Sequence, residues 1–289
     1  MTKVWQLASH TFTFEKPLVM GVLNLTPDSF SDGGKFLETE AAYDQAQKLI
    51  EDGAGILDIG AESTRPGAPA IPAAIQLERL KPIFKKIKSL DVPISIDTTS
   101  SEVAEVCLDL GADVINDVSG LRDSGGEIAN AAARFKAGLI LMHRRGNAET
   151  MQKLATYENL IEEVSNELRF SLELALERDV PQKSIILDPG LGFSKTAEHS
   201  LYVLKEIQSF NSLGCPLLIG PSRKSFIGKV LGNEVDEREF GTAACIAYAY
   251  LHGVRFFRTH DVKSACETLK MLEAIYSANF VSNAKLGCL

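Results

Sequence analysis

Eight short apolar runs recur along the chain, each followed by a longer amphipathic stretch. This alternation constrains the fold more than any single motif. The runs are 18–23 (LVMGVL), 55–59 (GILDI), 93–97 (PISID), 113–116 (DVIN), 138–142 (GLILM), 184–188 (SIILD), 216–219 (PLLI) and 254–258 (VRFFR). They are short and nearly continuous in apolar side chains, as parallel strands covered on both faces should be. Between them, 39–52, 73–89, 100–110, 125–136, 157–179, 198–211, 238–252 and 262–277 carry apolar residues at i, i+3, i+4 spacing and read as helices. Gly53, Gly111 and Gly253 stand where helices commonly end. Eight strand–helix units in 289 residues predict an α/β fold, a (β/α)8 TIM barrel. An open doubly wound sheet is the alternative, disfavoured because eight units follow one another without a switch in pattern. Residues 4–14 (VWQLASHTFTF) alternate weakly and are expected to form a short strand or hairpin closing the barrel's bottom. No linker divides the chain, so a single domain spanning 1–289 is expected, with the barrel proper at about 18–277.

Composition narrows the function classes. A net charge of -8 disfavours nucleic acid as a partner. Five cysteines, scattered and without a CxxC pair, argue against a disulfide framework or a zinc knot and for a reducing, cytoplasmic setting. No apolar run approaches the roughly 18 residues that span a membrane, and the N-terminus lacks the order of a signal peptide.

In such a barrel the chemistry sits at the C-terminal ends of the strands. There the sequence places Asn24; Asp58, then "GAESTRPGA" with Glu62, Ser63, Thr64 and Arg65; Asp97 and Thr98; Asn116 and Asp117; and Met142, His143, Arg144 and Arg145. The last three strands give Asp188; Gly220, then "PSRKS"; and Arg258, His260 and Asp261. Asp117, Asp261 and Ser100 suit helix caps. Asp97, Asn116 and Asp188 instead end apolar runs and would point into the mouth. A buried carboxylate needs matched donors. No Arg or Lys adjoins Asp97 or Asp188 in sequence, so a flat, nitrogen-rich heterocycle with several N–H groups is the expected partner. A metal is the weaker reading there. Arg223, Lys224, Arg258 and His260 follow the seventh and eighth strands, where such barrels bind anions. Ser222 and Ser225 either cap a helix or touch that anion. Arg258 and His260 facing Asn24 and Arg65 read as a diphosphate clamp.

Together "GVLNLTPDSFSDGG", "DIGAESTRPGA", "ISIDT", "INDVSG", "LMH", "LDPGLGF", "GPSRKSFIG" and "FRTHDV" resemble the dihydropteroate synthases, a pterin-binding TIM-barrel family, in order through residues 18–277. The resemblance implies condensation of 7,8-dihydropterin-6-ylmethyl diphosphate with p-aminobenzoate by SN1-like displacement, giving 7,8-dihydropteroate and pyrophosphate for folate. It implies a pterin site at Asp97, Asn116, Met142, Asp188, Phe193, Gly220 and Lys224. The diphosphate would lie at Asn24, Thr64, Arg65, Arg258 and His260, with Mg2+ as cofactor at Asn24. The p-aminobenzoate would lie at Phe30, Thr64, Pro66, Phe193 and Ser225, beneath loops that close and reopen. Asp97, Lys224, Arg258 and His260 would carry the catalysis, with Lys224 a hydrogen-bond donor to the ring. A homodimer is implied too, with the helix in "GTAACIAYAYLHG" as one possible face. The chain departs from the family pattern at Ala61, at Ser194, and in "HRRGNAETM", which lacks the usual proline. The alternatives are a pterin-binding methyltransferase acting from methyltetrahydrofolate to a corrinoid, a barrel aldolase with a Lys224 Schiff base, and a catalytically silent pterin-binding subunit.

Overall fold

The computed structural model describes residues 4–13, 15–25 and 34–278. The glycine-rich segment 26–33, with Phe30, lies outside them. Strands β1 (Val4–Gln6) and β2 (Thr11–Thr13) form an antiparallel hairpin. Then follow β3 (Leu18–Asn24), α1 (Gly34–Glu51), β4 (Ile56–Gly60), α2 (Ala73–Ile87), β5 (Ile94–Asp97), α3 (Ser101–Asp109), β6 (Val114–Asp117), α4 (Glu127–Phe135) and β7 (Gly138–Met142). The second half holds α5 (Leu160–Glu177), β8 (Ile185–Asp188), α6 (Ala197–Lys205), β9 (Leu218–Ile219), α7 (Ser225–Leu231), α8 (Glu239–Leu251), β10 (Phe256–Thr259) and α9 (Val262–Ser277). β3 to β10 form one parallel sheet in the order β8-β7-β6-β5-β4-β3-β10-β9. A parallel bridge from Leu187 to Leu217 joins its two ends, so the expected barrel is closed.

Alternation along the strands sorts the side chains into layers. Outward residues such as Leu57, Ile59, Ile96, Leu139, Leu141 and Phe257 pack against the helix ring. Inward, Met20, Ile56, Val114, Ile140, Ile186, Leu218 and Phe256 meet at the bottom around Trp5 and Leu7 of the hairpin. Trp5 is fully buried, and its Nε1–H donates to the Ser184 carbonyl at 2.9 Å. Gly138 is needed for this approach: a Cβ there would stand 2.4 Å from Leu7 and 2.8 Å from Trp5. Two residues further along the same strands the inward side chains turn polar: Asp58, Asn116, Asp188 and Arg258 stand one step above Ile56, Val114, Ile186 and Phe256. The plug thus seals one end and the polar layer faces the other.

Two details differ from the sequence reading. Helix α7, whose start the possible caps Ser222 and Ser225 suggest, has no counterpart among the periodic stretches, because seven residues are too few for a 3.6-residue period to register. The predicted helix at 198–211 stops at Lys205 and continues as tighter turns over Ile207–Leu213 to Gly214, whose φ is +76°. Among the described residues no helix is long and apolar enough to cross a membrane. Replacing the plug, Trp5→Ala, should lower the unfolding free energy by about 3–5 kcal/mol, read as a lower urea midpoint with unchanged slope.

Candidate active site

The polar layer is organised around one guanidinium. Arg258 on β10 donates from Nε to Asp58 Oδ2 at 2.6 Å and from Nη2 to Asp97 Oδ2 at 2.8 Å. Asn116 on β6 donates from Nδ2 to the same Asp58 oxygen at 3.2 Å. Asp58 is fully buried, and Asp97 and Asn116 nearly so. Among the described residues the other carboxylate oxygens, Asp58 Oδ1 and Asp97 Oδ1, are buried with no partner. Burial raises the Asp97 carboxyl to about 7; Arg258 opposes this, while Asp58, Glu62 and Asp117 reinforce it. Burial also works against the charge on Arg258, but Asp58 and Asp97 hold it protonated beyond the ordinary range. The sequence reading left Asp97 without a cation, because Arg258 lies 161 positions away; closure of the barrel brings the two together.

Across the mouth, Asp188 ends β8 and accepts the Gly190 N–H at 2.7 Å. Burial lifts its carboxyl to about 6 against the pull of that N–H and of Lys224. Lys224 places its ammonium 4.0 Å from the centre of the Phe193 ring. Burial and then Arg258 lower it to about 8, opposed by Asp188 and Asp97. Val118, Met142, Met151 and Phe193 form a small apolar cluster beside it. Gly220 packs against Arg258: a Cβ there would meet the Arg258 Cβ at 3.6 Å. Lys224 and its neighbour part company. Arg223 has φ +57°, a left-handed backbone that turns the chain, and its side chain pairs with Glu239 of α8 at 3.2 Å.

His260 marks the cationic edge. Its Nδ1 lies 3.0 Å from Ser222 Oγ, and that same oxygen accepts the His260 backbone N–H. Ser222 thus holds the ring at Nδ1, which leaves Nε2 outside this contact. Burial, then Arg258, Arg223, Lys224 and Arg65, push the imidazole down to about 3. Four cations thus act on one neutral ring in a chain of net charge -8. Such a focus suits an anion. The Asn24 amide oxygen and Asp97 Oδ2 each lie 3.7 Å from where a Cβ on Gly60 would stand, so glycine keeps the space between them open. Among the described residues no three His, Cys, Asp or Glu side chains gather as a metal cage. One amide oxygen fits an ion that takes its remaining ligands from phosphate and water, as Mg2+ does.

The loop after β4 carries Thr64, half-buried, and Arg65 and Pro66, exposed. Glu62 anchors it by accepting the Ile71 N–H at 2.9 Å, and the Gly67 N–H donates to the Ala148 carbonyl at 2.8 Å. Ser225 is exposed at the start of α7 and does not cap it. The structure therefore groups Asp97, Asn116, Met142, Asp188, Phe193, Gly220, Lys224, Arg258 and His260 around the mouth, while Thr64, Arg65, Pro66 and Ser225 stand at its rim.

Sequence reasoning places Asp58 and His143 at strand ends without a role and does not single out Lys195. Asp58 had one signal, a carboxylate inside the apolar run ILDIG. Lys195 is 2% exposed, with Nζ 2.7 Å from His143 Nδ1 and 3.2 Å from the Phe193 carbonyl. Arg145, whose role the sequence left open, donates its backbone N–H to Ser194 Oγ at 2.8 Å and its guanidinium to Glu163 and Glu167.

A family model described as pterin binding enzyme matches residues 20–260. A dihydropteroate synthase of Synechocystis sp. is 46% identical over 264 residues, covering 91% of this chain and 91% of that protein. The solved dihydropteroate synthase of Xanthomonas albilineans with 4-aminobenzoic acid superimposes with a TM-score of 0.89 at 34% identity, over 96% of this chain and 100% of that one. That of Clostridium difficile in the presence of pteroic acid gives 0.85 at 38% identity, over 91% and 98%.

The electrostatics at His260 predict a titration. The free imidazole stays neutral above its lowered pKa of about 3. An anion among the four cations offsets the charges that lower it, so inorganic pyrophosphate should move the pKa upward. Ring-proton NMR titrations with and without pyrophosphate measure this; superimposable curves would place the anion elsewhere.

Proposed function

The chain belongs to the pterin-binding enzyme family, and on that premise we propose that it works as a dihydropteroate synthase, condensing 7,8-dihydropterin-6-ylmethyl diphosphate with p-aminobenzoate. The observation that carries this reading is the pairing of a deep layer of acceptors with a cationic edge at one barrel mouth. Asp97, Asn116 and Asp188 accept from the N–H groups of the pterin, and Lys224 donates to the ring. Met142, Phe193 and Gly220 line the slot. The diphosphate lies toward Asn24, Thr64, Arg65, Arg258 and His260, with p-aminobenzoate near Thr64, Pro66, Phe193 and Ser225. Phe30, assigned to the same subsite, lies outside the described residues.

The bond between the pterin methylene and the diphosphate oxygen breaks first. Its electron pair leaves with the diphosphate, next to Arg258 and His260. The resulting cation is stabilised by the electron-rich ring and by the carboxylates of Asp97 and Asp188. A preorganised contact of this kind is worth about 3 kcal/mol where it has been removed by mutation. The amine nitrogen then bonds to the methylene carbon and sheds a proton. Mg2+, held by the Asn24 amide oxygen with phosphate oxygens and water, would supply further neutralisation of the leaving charge.

We also place the enzyme in the cytoplasm, as a homodimer. A second copy would cover apolar side chains left exposed on α7 and α8, among them Val230, Leu231, Leu251 and Phe240, the last 90% exposed. Sedimentation of the wild type and of Phe240→Asp tests this, with a dimer expected to become monomer.

Purified protein given dihydropterin-methyl diphosphate should release pyrophosphate only when Mg2+ and p-aminobenzoate are both present, with dihydropteroate as co-product. The acceptor carboxylates must be ionised, and burial holds Asp188 near 6 and Asp97 near 7. Pterin affinity should therefore rise with pH through that interval, with protons released on binding. Calorimetry in buffers of different ionisation enthalpy counts them. Release without the amine, or an affinity flat from pH 5 to 8, would count against this assignment.

A further inference from the structure

Asp58 is the residue the proposed chemistry does not use. It is fully buried, so substrate does not reach it. One of its oxygens takes both the Arg258 Nε–H and the Asn116 amide, and the other is buried without a partner among the described residues. An unpartnered buried carboxylate oxygen costs stability. A buried ion pair is often no more stable than well-packed apolar side chains of the same volume. Val22, its register partner on β3, shows that the barrel takes an aliphatic side chain at this level. Stability alone therefore does not explain an aspartate here.

Its geometry toward Arg258 does. A guanidinium offers five N–H donors in a fixed plane. Nε and one terminal nitrogen share its side edge; the two terminal nitrogens share its outer edge. The side edge is fully engaged, Nε by Asp58 at 2.6 Å and Nη2 by Asp97 at 2.8 Å. Among the described residues no acceptor takes Nη1. With Asp97 alone, the side chain would keep one hinge point and rotate about it. With both carboxylates, the plane is held at two points before any ligand arrives.

We propose that Asp58 is a positioning residue, which locks the side edge of Arg258 jointly with Asp97 so that the outer edge of the guanidinium is presented to the leaving diphosphate. The inference rests on the synthase reading above and adds to it the device that aims the charge. Holding a long side chain in its working geometry removes an entropic cost from the reaction.

The test compares Asp58→Ala and Asp58→Asn with the wild type. Calorimetry with pyrophosphate and Mg2+ gives the anion affinity; steady-state kinetics give kcat and both KM values. The alanine variant should weaken pyrophosphate binding about tenfold and lower kcat about a hundredfold, while KM for p-aminobenzoate stays within about threefold. The asparagine variant keeps an oxygen that accepts from Nε and should recover pyrophosphate affinity to within about fivefold. Pyrophosphate binding unchanged in Asp58→Ala would overturn the proposal. So would an asparagine variant as impaired as alanine, or a uniform weakening of every ligand, which is the signature of a structural role. Should Asp58→Ala fail to fold, the wild type still decides: the Arg258 Nε–H must exchange slowly by NMR, and exchange at the rate of a free arginine refutes the contact. A wild type that binds pyrophosphate but makes no dihydropteroate would instead sink the enzymatic reading and leave these binding and exchange measurements in force.

Discussion

Charge buried at the mouth of a parallel barrel has to be paired, and the Arg258 guanidinium between Asp58 and Asp97 is how this chain does it. One cation serves two carboxylates, so the layer stays electron-rich: among the described residues the second oxygen of Asp97 has no protein donor. That residual demand is what a ligand bearing several N–H groups can meet. Lys224, itself destabilised by burial and by Arg258, completes the layer opposite, near Asp188. The apolar plug around Trp5 makes the arrangement possible, because it keeps water from entering below and leaves the polar residues a single direction in which to find partners.

Side-chain hydrogen bonds to three successive carbonyls hold the wall on which Lys224 rests. Each carbonyl from Gly192 to Ser194 accepts from a side chain: Gly192 from Gln152 at 3.0 Å, Phe193 from Lys195 at 3.2 Å, Ser194 from Tyr157 at 2.9 Å. Lys195 leans on His143, burial lowering the first to about 7 and the second to about 3, so the pair avoids carrying two positive charges. Arg145 closes the set. Its backbone N–H bonds the Ser194 hydroxyl, its guanidinium binds Glu163 and Glu167, and it lies 4.1 Å from the Tyr157 ring. Two departures from the family pattern, Ser194 and the arginine-rich segment after β7, are thus partners of one another. Ser194 holds a φ of +45°, a strained backbone that these bonds over-determine and that directs the Phe193 ring to the mouth.

Much of this was legible in the order of residues. A strand buried on both faces must be apolar throughout, so eight such runs announced the barrel, and polar residues at the ends of all but the seventh announced the mouth. The family motifs named Asp97, Asn116, Asp188, Lys224, Arg258 and His260, which the structure gathers at one mouth. Less legible was anything that depends on which strands are neighbours. Asp97 looked unpartnered because hydrogen bonding between β3 and β10 is not a local property, yet that pairing carries Arg258 to it. Arg223 and Lys224 looked like one cationic pair, and a single left-handed residue sends them to opposite sides.

By itself the sequence determined the alternation of elements, the hairpin that plugs the bottom, and the kinds of side chain at the strand ends, because each follows from local periodicity and composition. Only the tertiary structure decided that Asp58 belongs to the site, that Arg258 divides itself between two carboxylates, and that Lys195 and Arg145 serve Phe193. Those facts arise from contacts between strands and loops packed side by side in the barrel, which set residues far apart in the chain within hydrogen-bonding distance.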